Sequence, residues 1–169
     1  MTPVRVAVVG AGNIAQQHLP VLTAHPDCEV VLLCDTDEAM LAESAYRFAI
    51  PGRVTDLRAV LGRDDVDAVF VLVSVLRVAE VAGTFIAAGL PTFLEKPPGI
   101  CSADTARLVE LQQQRRTMAT VGLNRRFYSS HLAAREQLLA HGPIVSVTVD
   151  AHEDLARISR EKFPPLVQR

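Results

Sequence analysis

Long apolar runs are missing from this chain of 169 residues. Hydrophobic residues make up 49% of it, yet Arg, Asp or Glu interrupts each apolar stretch well short of the roughly 20 residues that span a bilayer. A membrane-spanning helix is therefore excluded, and a soluble protein is expected. A surplus of either charge is missing too. With 17 basic against 19 acidic residues and a formal net charge of -2, nothing draws the chain onto nucleic acid phosphates or anionic lipid. Met1 to Gly10 lacks a basic region followed by an apolar core and a small-residue cleavage site, so no secretory leader is read and a cytoplasmic location is expected by default. Cys28, Cys34 and Cys101 are odd in number and lack metal-ligand spacing; they read as small hydrophobes. No zinc-type Cys/His cluster and no Ser/His/Asp arrangement is present, so no metal ligand is assigned and hydrolysis has no candidate residues. Repeats and low-complexity tracts are absent as well.

What is present is a rhythm of short apolar runs. Val4 to Val9, Val30 to Leu33 and Ala68 to Val73 are rich in β-branched residues, as strands buried on both faces are, and such strands imply a parallel sheet covered by helices. Thr92 to Glu95 and Met118 to Val121 fit the same scheme. Between the strands, Ile14, Ala15, His18, Leu19 and Leu22 share a helical face, Ser102 with Asp104 marks a helix start, and a further helix is expected from about Arg126 to Ala140. Strand and helix alternate, which predicts an α/β, Rossmann-type doubly wound parallel sheet.

After Gly142 and Pro143 the period changes. Val145, Val147 and Val149 alternate with Ser146, Thr148 and Asp150, the signature of a strand with one wet face. The expected organisation is a dinucleotide-binding domain over 1–124, followed over 125–169 by a connecting helix and the first strand of a truncated α+β second domain. One strand cannot make a sheet, so the second domain is read as truncated or as completed by another chain, the latter allowing a homo-oligomer through this C-terminal sheet.

Two regions carry chemistry. Gly10, Ala11, Gly12, Asn13, Ile14 and Ala15 follow the first strand and open the first helix in a Gly-x-Gly-x-x-Gly/Ala pattern. The first glycine permits a tight turn, the second leaves no side chain between backbone and pyrophosphate, and the helix N-terminus offers unpaired N–H groups to the phosphates. Gly10, Gly12, Asn13 and Ile14 are thus candidate cofactor contacts. Asp35, followed by Thr36, ends the second strand 23 residues beyond Gly12, where an acid accepts hydrogen bonds from the adenosine ribose and repels a 2′-phosphate. NAD is favoured; NADP stays open, although neither Arg47 nor Arg53 directly follows Asp35. The competing reading is that Asp35 only caps the next helix.

The second region is the end of the strand Thr92 to Glu95, where Glu95, Lys96, Pro97 and Pro98 follow Leu94. Ligands of open α/β sheets bind at the carboxyl ends of strands, and a lysine ammonium there donates to hydroxyl or carbonyl oxygens. The prolines fix the backbone leaving the strand, and one of their bonds is a candidate for the cis form.

Taken together, the glycine turn, Asp35, Glu95-Lys96-Pro97, and Gly122 to Phe127 with its Asn124-Arg125-Arg126 run resemble the Gfo/Idh/MocA family of nicotinamide-dependent oxidoreductases across essentially the whole chain. The resemblance implies that Lys96 is the catalytic residue, contacting the substrate hydroxyl that becomes a carbonyl, and that Glu95 and Pro97 shape the turn beside the nicotinamide. It places Asn124 and Arg126 near cofactor and substrate; Arg126 as an ion-pair partner at a helix start is the alternative. Two departures stand out. Where many members have Pro and then His, this chain reads Ser74, Val75, Leu76, Arg77, Val78, leaving Ser74 as the candidate contact. The family's Asp-x-x-x-His pair is absent after Val149, and His152 with its neighbours does not reproduce it. The expected function is NAD(P)-dependent oxidation or reduction at a CH–OH or carbonyl group of a sugar, polyol or related small molecule. The alternative is a non-catalytic dinucleotide-binding or protein-interaction module.

Overall fold

Val6 and Val8 point to one side of the first strand, and Ala7 and Val9 to the other, yet all four are buried. A strand can do this only if both faces of its sheet are covered. In the computed structural model, which describes residues 2–150, that strand is β1 (Val4–Val9). It is joined by β2 (Cys28–Cys34), β3 (Gly52–Val54), β4 (Ala68–Val71), β5 (Thr92–Leu94) and β6 (Ala119–Val121). Every pairing is parallel, and the spatial order is β3-β2-β1-β4-β5-β6. Helices α1 (Ala15–Ala24), α2 (Glu38–Arg47), α3 (Val78–Ala87) and α4 (Ser102–Arg115) connect the strands.

The two cores follow from the alternation within the strands. Val6, Val8, Val30 and Leu33 pack with Ala15 and Leu19 of α1 and Leu41 and Ala45 of α2. Ala7, Val9, Leu32, Val69 and Leu94 pack on the opposite side with Val81, Phe85 and Ile86 of α3 and Leu108 of α4. Helix α3 buries most of its circumference, because α4 closes over it; a Cβ added at Gly83 would already touch Leu108 and Leu111.

Chain order reverses between β1 and β4, which lie side by side although two strands separate them in sequence. Loops leaving β1 and β4 diverge there, opening the crevice in which sheets of this class bind ligands.

The expected doubly wound parallel sheet is the one observed, with local differences. Strand β3 was not expected: Gly52, Arg53 and Val54 form no apolar run, and the strand gains its place by pairing with Leu32 to Cys34. Strand β4 stops at Val71, two residues before the apolar run ends, since Leu72 turns into the wall of the crevice. Helix α4 is capped one residue earlier than Ser102: the backbone N–H of Cys101 donates to Asp104 Oδ2 at 3.3 Å. The single helix expected from Arg126 is a 3-10 turn, Asn124–Phe127, followed after Tyr128 by α5 (Ser129–Ala140).

The chain separates into two compact units, Met1–Asn124 and Arg125–Arg169. Within the second, α5 has no buried residue, and residues 144–150 adopt no sheet pairing. Val145, Val147 and Val149 are 94%, 71% and 80% exposed, so their alternation covers no core; a strand requires a hydrogen-bonding neighbour, and the described residues supply none. His152 and the prolines near the C-terminus lie outside the described residues. No helix among the described residues is long and apolar enough to cross a membrane, and among them no group of three or more His, Cys, Asp and Glu could hold a metal ion.

Candidate functional site

At the switch point the first glycine of the turn has no alternative. Gly10 has φ +103, and a Cβ there would stand 2.6 Å from the carbonyl oxygen of Leu72. Only glycine brings β1 this close to the chain leaving β4. Gly12 differs: no atom lies within 4 Å of the position its Cβ would take. The space is open towards a ligand, which is what close approach of a pyrophosphate to backbone needs. Helix α1 begins directly beyond, with Ile14 at its N-cap position, and no side chain caps it. The Gln16 and Gln17 amides donate to the Gly12 and Ile14 carbonyls at 3.2 and 3.0 Å, which leaves the Ile14 and Ala15 amides for an anion, with the positive end of the helix dipole behind them.

Gly10, Gly12, Asp35, Thr36 and Ser74, all predicted cofactor contacts, line a single cavity of about 290 Å³, together with Thr55 and Arg77. Asp35 is partly buried and holds the turn in place. Its Oδ2 accepts from the Ala11 N–H at 2.6 Å and its Oδ1 from the Asp37 N–H at 2.9 Å. Helix α2 is capped by Asp37 rather than Asp35, Asp37 accepting from Met40 N–H at 3.0 Å, so the capping alternative for Asp35 is set aside. Each Asp35 oxygen keeps a lone pair for a further donor. Cys34 forms part of the cavity wall, and burial first, then the charges of Asp35 and Asp56, push its thiol up to about 11. It is a protonated apolar wall at neutral pH.

Asn13 is exposed and faces a smaller neighbouring cavity of about 190 Å³ with Gln16, Ser44 and Arg47. Ile14 opens α1 and its side chain packs on the α1–α2 core, leaving its backbone as the part that faces the turn. Arg53 lines a third cavity with Glu38 and Asp56, one that neither Gly10 nor Gly12 lines. Arg77 was not singled out as a contact; its place at the start of α3 puts it in the crevice, where its Nε donates to Glu80 Oε2 at 3.0 Å.

Glu95, Lys96 and Pro97 follow β5, and the Lys96–Pro97 bond is cis. Lys96 and Pro97 are exposed, whereas Glu95 is half-buried. The Glu95 carboxylate has two protein partners: Oε1 lies 2.9 Å from His18 Nε2, and Oε2 accepts the Lys96 backbone N–H at 3.2 Å. Gly122, at the end of β6, makes room for this arrangement, since a Cβ there would lie 2.8 Å from Phe93 and 3.1 Å from Glu95 Oε1. His18 was legible in the sequence only as a member of a helical face. Its signal was being the single ionisable residue among Ile14, Ala15, Leu19 and Leu22. Asn124 is exposed at the close of the first unit. Arg126 belongs to the second, its guanidinium 5.9 Å from the centre of the Phe127 ring.

The family model described as an oxidoreductase family with an NAD-binding Rossmann fold, Gfo/Idh/MocA, matches residues 4–123. An inositol 2-dehydrogenase of Gluconacetobacter diazotrophicus is 34% identical over 145 residues, which cover 84% of this chain and 43% of that protein. Among solved structures, GenD2 from gentamicin A biosynthesis in complex with NAD superposes with TM-score 0.76 at 28% identity, covering 81% of this chain and 39% of that one. KijD10, a 3-ketoreductase from Actinomadura kijaniata in complex with NADP and TDP-benzene, gives TM-score 0.75 at 28% identity, covering 82% and 43%. The chain spans less than half the length of these relatives.

Proposed function

The chain belongs to the Gfo/Idh/MocA family of oxidoreductases with an NAD-binding Rossmann fold, and from that premise we propose that it supplies the dinucleotide-binding part of a dehydrogenase or reductase acting on a CH–OH or carbonyl group of a sugar, polyol or related small molecule. The observation that carries this reading is one cavity at the switch point, lined by Gly10, Gly12, Asp35, Thr36 and Ser74.

The site fits a dinucleotide. The open side of Gly12 admits phosphate oxygens to the backbone, and the uncapped start of α1 at Ile14 receives their charge. Asp35 offers its remaining lone pairs to ribose hydroxyls. NAD is favoured over NADP because a 2′-phosphate would meet the Asp35 carboxylate, while Arg77, the cation lining the same cavity, is paired with Glu80. When bound, the nicotinamide supplies hydride exchange with a carbinol carbon. Lys96 holds the substrate oxygen and manages its proton, and Glu95 and Pro97 fix the turn that presents it. Asn124 and Arg126 are assigned the remaining contacts to cofactor and substrate. Substrate class rests on the inositol dehydrogenase and ketoreductase relatives.

Calorimetric titration of the chain with NADH and NADPH tests this reading. NADH is expected to bind at least about tenfold more tightly, the scale of one unfavourable charge contact; binding of neither nucleotide would sink the proposal. In a form that turns over substrate, Lys96→Ala should lower kcat by about 100-fold or more while NADH affinity changes little. Normal turnover in that variant would remove Lys96 from the mechanism.

A further inference from the structure

Three elements converge on one carboxylate. Glu95 at the end of β5 is 14% exposed, and His18, one helical turn into α1, is 25% exposed. The His18 ring meets Phe93 edge-on at 5.6 Å, and Phe93 in turn stacks on Phe70 at 4.8 Å. The segment leaving β6 comes close as well: a Cβ at Gly122 would lie 3.1 Å from Glu95 Oε1 and 2.8 Å from Phe93. The imidazole thus rests against Phe93, and its Nε2 faces Glu95 Oε1 at 2.9 Å. A nitrogen facing a carboxylate must carry the proton, so Nε2–H donates. The other oxygen of the same carboxylate receives the amide N–H of Lys96 itself.

We propose that His18 is a positioning residue for Lys96: by fixing the Glu95 carboxylate it fixes the backbone turn from which Lys96 projects. This rests on the assignment of Lys96 made above. The connection joins the two halves of the site. Helix α1 opens on the glycine turn at Ile14 and carries His18 one turn later. A single rigid element thus sets the phosphate-binding amides and, through Glu95, the lysine turn.

The test uses the 169-residue chain and separates the nicotinamide half of the cofactor from the rest. Affinities for NADH and for ADP-ribose are measured by calorimetry, and exchange of the Lys96 amide proton by NMR. His18→Leu should weaken NADH by about tenfold, by loosening the backbone turn beside the nicotinamide that Lys96→Ala leaves in place, and should speed Lys96 amide exchange by a similar factor, the scale of one hydrogen bond to a charged group. ADP-ribose affinity should stay within about twofold, and His18→Gln, which keeps a donor, should recover most of the loss. In a Glu95→Ala background, His18→Leu should add nothing further to Lys96 exchange. Equal loss of both affinities would reveal a merely structural role and overturn the proposal, as would no change in either, or additive effects with Glu95→Ala. Should His18→Leu fail to fold, ring ¹⁵N spectra of the unaltered chain decide: a proton on Nε2 is expected, and a proton on Nδ1 alone overturns the assignment. If the unaltered chain binds neither nucleotide, the dinucleotide reading falls, while Lys96 exchange still measures the coupling to His18.

Discussion

Gly10 and Gly12 carry the same residue name for opposite reasons, and substitution separates them. Gly10 needs a positive φ and has the Leu72 carbonyl where a side chain would go, so Gly10→Ala should cost roughly 2 to 4 kcal/mol of stability by combining backbone strain with a steric clash. Gly12 has open space, so Gly12→Val should change stability by less than about 1 kcal/mol and weaken NADH by more than about tenfold. Thermal melts and calorimetry on both variants check the pair; a folded, NADH-binding Gly12→Val would break the link between that open space and the cofactor. Spacing alone identified both glycines, because the motif names positions. It did not distinguish their tasks, which depend on what lies across the crevice.

Most strands and helices were visible in the chain, the three-residue β5 and β6 among them, and β3 was not. Val4 to Val9 is long and buried on both faces from Val6 onward, so its apolar run announced it. Gly52–Val54 forms no apolar run and is held by its partner β2, so nothing local marks it. Val145, Val147 and Val149 make the converse point: alternation is a request for a neighbour, and a strand forms only where one is supplied. The sheet also has an electrostatic tie with a pH signature. Arg5 of β1 grips Asp67, just before β4, through its backbone N–H at 2.8 Å and through Nε and Nη2 at 3.0 and 2.8 Å. The Arg5 side chain, and then its backbone amide, hold the Asp67 carboxyl down at about 2. Because the folded value lies below the ordinary carboxylate value of about 3.9, the stabilisation is present above that value and is lost as pH falls through about 2. Asp67→Asn should therefore be less stable than the unaltered chain at neutral pH and converge with it in strong acid. Equal acid-unfolding curves at both ends would show that the pair contributes nothing.

For the whole molecule, ligand and fold are linked through the first unit. If the crevice between β1 and β4 binds NADH only when formed, saturation at about 100 times Kd adds about 2.7 kcal/mol, which for a unit of this size raises Tm by roughly 8 to 12 °C. Differential scanning calorimetry with and without NADH checks this, and an unchanged Tm at that concentration would refute it. The two-unit division sets where such a shift is read. Residues of Met1–Asn124 build the cores and the cavity, whereas α5 buries no residue, so NADH should protect amides of the sheet from exchange and leave those of α5 as they were. The sequence pattern pointed to the parallel sheet through apolar strands alternating with helices, and to the nucleotide crevice through the glycine turn and Asp35. It said nothing of the contact between His18 and Glu95, since residues 77 positions apart in sequence meet only once β1 and β5 have been ordered in the sheet.

Asp35 brings these scales together. The carboxylate that would discriminate between the two nicotinamide dinucleotides is also the acceptor that fastens the Ala11 amide to the chain leaving β2. Nucleotide preference and the integrity of the glycine turn are therefore inherited as one trait. A lineage that exchanged this acid for a neutral residue to admit a 2′-phosphate would have to furnish a new acceptor for Ala11 at the same time, which makes a change of coenzyme here at least a two-step event.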